Sequence, residues 1–444
     1  LFSNTTGGGN VAVGYSALYS NTTGLSNVAL GPTVMWSNTT GVGNTGIGSN
    51  ALYSNTSGNY NTAGGIGALS SNSTGGTNTA WGSNSLEANT TGYSNTSSGS
   101  RSMRNNTSGY ANTATGFETL ALNTTGTRNT AIGDSALFSN TTASGNIATG
   151  HQAMYGNTTG TGNIANGYQA LYTNSTGTNN TATGYQALYF NTNSFNTANG
   201  YFALTANNTG SNNTASGYRS QVATTAGFQN TSFGANSMTL NTTGAYNTAV
   251  GYNTGPNAAN LLNTTSIGID ATYTGNDMVR IGNIFVGSIG GYQNWTNISD
   301  GRFKENVQEN IPGLRFITLL RPVSYRLNRE QINDYTGVTE RREKIAADAA
   351  KLGAKPVFLT GTKYSDVTTG FIAQEVEAAA KKIGFDFSGV DKPKNETDLY
   401  GLRYAEFVVP LVKGMQEQQK QIEARQQRIA ELEKMLKEIK EKIR

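Results

Sequence analysis

The chain of 444 residues contains no cysteine, a single histidine and very few charges over its first two thirds. Without cysteine it forms no disulfide, no thiolate metal site and no thiol nucleophile. Residues 1–298 hold only five of the 31 Lys and Arg residues and five of the 27 Asp and Glu residues. The remaining 146 residues hold 48 charged residues, so composition alone divides the chain near Ser299.

Long apolar runs are also missing. No stretch approaches the roughly 18 apolar residues of a membrane helix, and we expect no membrane insertion. The first part is neutral and the second mixes both signs, which argues against nucleic-acid binding. Nothing in the residues predicts a metal ion or a cofactor. The chain begins Leu-Phe-Ser without a signal peptide, from which we expect a fragment or a processed product.

A 17-residue repeat fills the first half of the chain. Its consensus is Asn-Thr-Thr-Gly-x-x-Asn-Thr-Ala-x-Gly-x-x-Ala-Leu, and we number its positions from the first Asn. That Asn recurs every 17 residues from Asn4 to Asn191; after the loss of one residue, the series continues at Asn207, Thr224 and Asn241. The second Asn is present in all fifteen copies, and a Gly follows it four residues later each time. Such regularity predicts a repeat architecture.

Each repeat is interpreted as two short strands joined by two turns, because Asn, Gly and Thr disfavour helix and favour turns. In Thr130-Ala131 and Thr181-Ala182, Thr is predicted to point outward and Ala inward. One larger apolar residue per repeat forms a seam, which includes Leu18, Leu52, Leu120, Leu137, Met154, Leu171 and Leu188. Because one coil buries little apolar area, we predict that this seam packs against other copies, most simply in a homotrimer.

The pattern over residues 1–255 resembles the β-roll heads of trimeric bacterial adhesins. The resemblance implies a mainly β fold, with a β-solenoid or β-roll shaft of stacked coils in a trimer. A triple-stranded β-helix shared between three chains is the alternative arrangement. The repeat decays after Gly251, and we interpret residues 256–298 as a neck that seals the shaft.

The shaft is predicted to be a rigid spacer. Tyrosines recur at one repeat position and either shield a trimer groove, which we favour, or stack on sugars; they are Tyr15, Tyr168, Tyr185, Tyr201 and Tyr218. His151 occupies the same position and is interpreted as drift of the repeat. Rows of Thr also fit an ice-binding solenoid, a less favoured reading. Five acids scattered over 298 residues make a glycosidase pair improbable, so we expect no enzyme activity in the shaft.

Four ordered motifs mark the charged part. Ser299-Asp300-Gly301-Arg302-Phe303-Lys304 opens it, and Leu319–Tyr325, Gly370–Val376 and Tyr400–Tyr404 follow. From Ser299 to the end, the sequence resembles the endosialidase-type intramolecular chaperones, the self-cleaving C-terminal domains of phage tail spikes and fibres. We therefore predict a chaperone and autoprotease domain at residues 299–405, a small α+β unit, and a coiled-coil trimerisation helix at 406–444.

The resemblance implies autoproteolysis between Ile298 and Ser299, with Ser299 as nucleophile and Lys304 as general base. The chemistry is coherent, because a hydroxyl nucleophile needs a base within hydrogen-bond reach, and lysine serves when burial or neighbours lower its pKa. No histidine lies in this half, which excludes a Ser-His triad. Asp300 and Arg302 either shape the turn or hold an oxyanion. A chaperone that trimerises without cutting remains the alternative.

Helices are predicted over Thr339–Leu352 and Ala373–Ile383, and strands over Arg315–Leu320, Pro322–Leu327 and Val357–Thr360. A long helix starts near Tyr404, and its apolar residues follow a heptad. Arg428-Ile429-Ala430-Glu431-Leu432-Glu433 resembles a signature of three-stranded coiled coils. The residues predicted to hold the trimer are Ile422, Arg428, Ile429, Leu432, Glu433, Leu436 and Ile439.

These parts predict a homotrimeric structural or receptor-binding protein that resembles a phage tail fibre or spike and is matured by its own C-terminal chaperone. The expected partners are two further copies of the chain and a host-surface glycan or protein receptor. The expected location is the virion or, more generally, the extracellular space or a cell surface. A bacterial surface adhesin with the same chaperone, cleaved or retained, is the alternative.

Overall fold

A computed structural model describes residues 1–290, 292, 295–351, 358, 361–396 and 398–443. The chain divides into two units, Leu1–Asn283 and Ile284–Arg444. The first is a β-solenoid with one short parallel strand per coil, followed in the second by a small α+β region and a long C-terminal helix. The predicted fold class is confirmed; the predicted trimer and coiled coil stay predictions.

The first unit stacks 17 three-residue strands into one parallel sheet. At about 4.8 Å per strand, the stack is roughly 75 Å long. Each strand pairs with the next at the same repeat position, as Ala131 with Ala148. The strands are Val11–Val13 (β1), Val28–Leu30 (β2), Thr45–Ile47 (β3), Thr62–Gly64 (β4), Thr79–Trp81 (β5), Thr96–Ser98 (β6), Thr113–Thr115 (β7), Thr130–Ile132 (β8), Ile147–Thr149 (β9), Ile164–Asn166 (β10), Thr181–Thr183 (β11), Thr197–Asn199 (β12), Thr214–Ser216 (β13), Thr231–Phe233 (β14), Thr248–Val250 (β15), Thr265–Ile267 (β17) and Val279–Ile281 (β19).

The coils extend beyond residue 255, where the shaft was predicted to end. Strands β17 and β19 continue the same sheet, and Gly255–Pro256 (β16) pairs with Thr272–Tyr273 (β18) in a second, two-stranded sheet. The stacking therefore continues to Ile281, although the consensus is lost after Gly251. Backbone pairing tolerates this divergence, because it requires few particular side chains.

The prediction of two strands per repeat is wrong. The second segment is a series of turns, because its backbone alternates into the left-handed region at positions 13 and 15. In the coil that starts with Asn123, Ser135 and Leu137 occupy these two positions and have φ of 54° and 53°. Arg128, at position 6 before the strand, has φ of 56°. These angles are incompatible with a strand, and they cost an ordinary residue about 1–2 kcal/mol each.

The inward Ala of each strand and the apolar residue at position 15 form the core of the solenoid. Thr faces outward and Ala131 and Ala182 are fully buried, as predicted. Leu137 and its equivalents are also fully buried within the single chain. The inference that this seam packs against other copies is therefore wrong, because each coil already covers its own leucine.

Two ladders of buried asparagines run along the stack. At position 1, the amide donates to the amide oxygen of the preceding coil wherever both coils carry Asn, as Asn89 Nδ2 does to Asn72 Oδ1 at 2.8 Å. At position 7, the backbone N–H of one Asn donates to the side chain of the preceding Asn, as Asn112 does to Asn95 at 3.0 Å. The asparagines predicted to form turns thus also fill the core and pair across every coil boundary they join.

Glycine at position 11 permits the close stacking of the coils. Gly133 has φ of 127°, a value that side chains rarely adopt. A Cβ atom added there would lie 2.6 Å from the carbonyl oxygen of Gly150 in the next coil. Backbone conformation and lack of space therefore both require glycine at this position.

The second unit contains five helices and four short strands in its described part. The helices are Leu314–Ile317 (α1), Arg329–Tyr335 (α2), Val338–Ala350 (α3), Ala373–Lys382 (α4) and Val408–Ile443 (α5). Val323–Tyr325 (β20) pairs with Thr368–Gly370 (β21), and Val390–Asp391 (β22) with Gly401–Leu402 (β23), both antiparallel. Single 3₁₀ turns cover Gly301–Phe303 and Tyr404–Phe407. Phe316, Phe387 and Phe407 form the centre of the core.

Two of the predicted helices and one predicted strand are found here. Helix α4 ends at Lys382, followed by Gly384 as predicted, and α3 matches the predicted helix up to Ala350, with Leu352 outside the described residues. The strand predicted over Pro322–Leu327 is β20. The prediction of a strand over Arg315–Leu320 is wrong, because the segment begins in helix α1, which buries Phe316. A short apolar run does not distinguish a strand from a buried helix. The strand predicted over Val357–Thr360 lies, apart from Phe358, outside the described residues.

Candidate active site around Ser299 and Lys304

A single tight turn carries the predicted nucleophile and base. Asp300 is extended, with φ −73° and ψ 121°, and residues Gly301–Phe303 form one turn of 3₁₀ helix. The N–H groups of Phe303 and Lys304 donate to the carbonyl oxygens of Asp300 and Gly301 at 3.2 and 3.3 Å. This local geometry brings the side chain at 304 back over residue 299.

The turn places Lys304 next to Ser299. The ammonium Nζ of Lys304 donates to the hydroxyl Oγ of Ser299 at 2.8 Å. A nucleophile and a general base have to lie within this distance of each other for proton transfer. Ile298, whose carbonyl precedes Ser299, is 94% exposed. Nucleophile, base and the predicted scissile bond therefore lie within one stretch of seven residues.

Asp300 and Arg302 bind each other within the same turn. Arg302 Nη2 donates to Asp300 Oδ2 at 2.6 Å, and Arg302 Nε lies 3.0 and 3.1 Å from the two carboxylate oxygens. The backbone N–H of Arg302 also donates to Asp300 Oδ1 at 3.0 Å. The side-chain and backbone hydrogen bonds from Arg302 lower the pKa of Asp300. The guanidinium group further lies 5.6 Å from the ring centre of Phe303.

The turn is open to water in the single chain. Ser299 and all residues from 301 to 310 are exposed, and Asp300 is half-buried. A lysine acts as a base only in its neutral form, which burial favours. Burial of Lys304 would thus have to come from outside this turn.

The comparison with known families identifies the segment that begins at the turn. Residues 299–385 match the family described as chaperone of endosialidase. The match starts at Ser299, where the nearly uncharged part of the chain ends. It covers about a fifth of the chain, and the solenoid lies outside it. No curated protein matches the chain.

Within and beside the chaperone segment, the predicted motifs contact each other. Arg321 of the second motif forms an ion pair of 2.5 Å with Glu375 of the third. The N–H of Phe371 in the third motif donates to the hydroxyl of Tyr404 in the fourth at 3.1 Å. Arg403 donates to Asp391 at 2.8 Å. Contacts between the second, third and fourth motifs therefore help to hold this domain together.

A cluster of ion pairs around a single carboxylate, that of Glu377, was not predicted from the sequence. Glu377 forms ion pairs with Lys381 at 2.7 Å and Lys392 at 3.1 Å and accepts a hydrogen bond from Tyr400 at 3.0 Å. These three donors lower its pKa to about 2. Lys381 follows at the helical spacing of four residues, but nothing in the sequence connects Lys392 and Tyr400 to this site. Across the described residues, no group of His, Cys, Asp and Glu is arranged to hold a metal ion.

Helix α5 follows the chaperone segment and exposes an apolar seam. Its start packs on α1, where Pro410 and Gly414 are buried; Pro410 fits because the first turn of a helix needs no N–H there. Beyond this contact, the apolar residues predicted to hold the trimer are about half exposed: Ile422, Ile429, Leu432, Leu436 and Ile439. Arg428 pairs with Glu431 of its own helix at 3.0 Å, and Glu433 is exposed. No described helix is long and apolar enough to cross a membrane.

Proposed function

We propose that the chain is a subunit of a fibrous homotrimer that resembles a tail fibre, and that its C-terminal part assembles the shaft and then cuts itself off before Ser299. The observation that carries the proposal is the 2.8 Å contact of Lys304 Nζ with Ser299 Oγ at the first residue of the chaperone segment. A β-solenoid shaft followed by a chaperone of endosialidase segment fits a tail-fibre-like protein.

In the proposed reaction, the acyl group of Ile298 is transferred from the amide nitrogen of Ser299 to its hydroxyl oxygen, and then to water. Neutral Lys304 takes the proton of the Ser299 hydroxyl, and Oγ forms a bond to the carbonyl carbon of Ile298. The C–N bond breaks, and the nitrogen leaves as the protonated α-amine of Ser299. Water then hydrolyses the ester, which releases the Ile298 carboxylate and restores the hydroxyl. The reaction occurs once per chain, so the activity is a maturation step.

Two uncharged surfaces support self-association. The seam of α5 is apolar and about half exposed over several heptads. The outward positions of all 17 strands in the main sheet carry no charge and include the exposed Trp81, Ile132, Phe233 and Ile267. Soluble proteins rarely expose a continuous apolar surface such as the α5 seam unless a partner covers it. The outward face of the sheet is largely Thr with apolar side chains between, so no charge on it would oppose the packing of copies. Copies aligned by the helix would bring identical coils to the same height, where the shafts pack.

The order of events follows from the exposure of the turn. Lys304 is exposed in the single chain, whereas a basic lysine needs burial or a neighbouring cation. If a second copy covers the turn, cutting follows assembly and removes the chaperone only from finished shafts. Unfolding of a shaft without its chaperone would be irreversible, because refolding in register would no longer be assisted, so the unfolding rate would set the lifetime of the shaft.

Mass spectrometry of the denatured protein tests the cleavage. We expect fragments of 298 and 146 residues from the natural chain and one intact chain from Ser299→Ala and Lys304→Arg. Arginine keeps the charge but does not act as a base, and Ser288→Ala is the matched control that still cuts. Cutting of Ser299→Ala at the same bond would refute the assignment of Ser299.

Light scattering coupled to size exclusion tests the trimer separately. We expect three copies for the natural chain and for Lys437→Asp, and dissociation for Ile429→Asp, which puts a charge into the seam. A monomeric natural chain at micromolar concentration contradicts the trimer, whatever the outcome of the cleavage test.

A further inference from the structure

The Asp300 carboxylate has the geometry of a helix N-cap. The residue is extended, the first residue of the 3₁₀ turn follows it, and its Oδ1 accepts the N–H of Arg302 at 3.0 Å. An N-cap side chain accepts an N–H two or three residues further on in this way, which satisfies a donor that the turn leaves free. The capped turn is the one that returns Lys304 to Ser299.

The contacts of Arg302 argue against a role in holding an oxyanion. Its Nε and Nη2 both point at the Asp300 carboxylate, and its guanidinium group also lies against Phe303. An oxyanion donor needs N–H groups aimed at the Ile298 carbonyl. Bidentate binding to Asp300 instead keeps the carboxylate in the orientation that caps the turn.

We propose that Asp300 is a positioning residue, which caps the 299–304 turn and so keeps Lys304 in contact with Ser299, and that Arg302 acts only by holding Asp300. This inference rests on the proposed self-cleavage. It gives Asp300 and Arg302 separate roles, which the sequence alone did not distinguish. The cap acts through the oxygen at Oδ1, so any good N-cap side chain can replace it, charged or not.

The test compares cleavage rates of Asp300→Asn, Asp300→Ser and Asp300→Ala in the full chain. Asn and Ser cap helices as well as Asp does, whereas Ala does not cap. We expect Asp300→Asn and Asp300→Ser to cut within about threefold of the natural rate and Asp300→Ala to cut about tenfold more slowly. Arg302→Gln, which keeps the backbone N–H, should slow cleavage only about threefold. Asp366→Ala removes an exposed aspartate elsewhere in the same unit and should leave the rate unchanged.

Two outcomes would overturn the role of Asp300, and a third would overturn the role of Arg302. Equal slowing by Asn, Ser and Ala would show that the charge is needed instead of the cap. Natural cleavage by Asp300→Ala would show that the turn needs no cap. A hundredfold loss in Arg302→Gln with natural rates in Asp300→Ser would place Arg302 at the oxyanion. Ser299→Ala is run in parallel: if it is still cut at the same bond, the proposed function fails, and if it is not cut, only the role of Asp300 is at stake.

Discussion

Two buried asparagines of the ladder at position 1, Asn89 and Asn241, differ in how many side-chain hydrogen bonds they make. Asn89 donates to Asn72 Oδ1 at 2.8 Å and to the Gly92 carbonyl at 3.0 Å, and it accepts from Asn106 at 2.8 Å. Asn241 is equally buried, but its Nδ2 donates a hydrogen bond of 3.2 Å to the Gly244 carbonyl and its Oδ1 accepts from no described residue. Replacing each by Ala removes the same atoms but different numbers of hydrogen bonds.

The difference in destabilisation between the two substitutions measures how much the side-chain hydrogen bonds of the ladder contribute to stability. Asn89→Ala removes two more hydrogen bonds than Asn241→Ala, and each contributes about 1 kcal/mol net. The cavities left behind are alike and cancel in the comparison. We therefore expect Asn89→Ala to destabilise its coil by about 2 kcal/mol more, roughly a 30-fold change in the opening equilibrium.

Hydrogen exchange read by mass spectrometry measures this locally. The Gly92 amide donates to Thr107 and the Gly244 amide to Ala259, so each reports on the coil that is altered. Exchange at Gly92 in Asn89→Ala should accelerate about 30-fold more than exchange at Gly244 in Asn241→Ala, each relative to the natural chain. Equal acceleration in the two variants would refute the reasoning, because the side-chain ladder would then add nothing beyond packing.

Three further predictions concern single contacts. Thr224→Asn should stabilise the shaft by about 1 kcal/mol, because Asn207 Oδ1 accepts from no described residue and the new amide would supply the donor; the melting midpoint measures it. Leu137→Ala should cost about 2–5 kcal/mol by the same assay, since the side chain is fully buried. Lys392→Met should raise the pKa of Glu377 from about 2, seen by NMR titration. Because that pKa is depressed, the Glu377 carboxylate stabilises the folded state above its ordinary pKa, and this contribution is lost as the pH falls toward the depressed value. In the variant, the contribution should be smaller and should be lost at a higher pH.

The sequence predicted the solenoid well but not its polar core. The fixed interval of 17 residues predicts stacked coils, and the alternation in Thr130-Ala131 predicts which side faces inward. Asn89 was interpreted as a turn residue, because asparagine is common in turns. Its burial depends on partners in the coils before and after it. Such partners exist only once the coils are stacked in register, so no local pattern reveals them.

The candidate site was the most predictable part of the second unit. Lys304 lies five positions after Ser299, and one tight turn is enough to bring them into contact. By contrast, the cluster at Glu377 depends on Lys392 and Tyr400, which come from other segments, and sequence spacing carries no sign of it. The roles of Ser299 and Lys304 in cleavage remain predictions until the variants are measured.

The left-handed residues in every coil have a consequence for how the shaft begins. Two or three non-glycine residues per coil, such as Arg128, Ser135 and Leu137, add about 2–6 kcal/mol of backbone strain to each coil. Hydrogen bonds to neighbouring coils compensate for it, so an isolated coil has nothing to hold its shape. Nucleation is then the unfavourable step, and elongation from an existing end is favourable. Folding of the shaft therefore depends on a templated first coil, from which the other coils of the same chain add one after another.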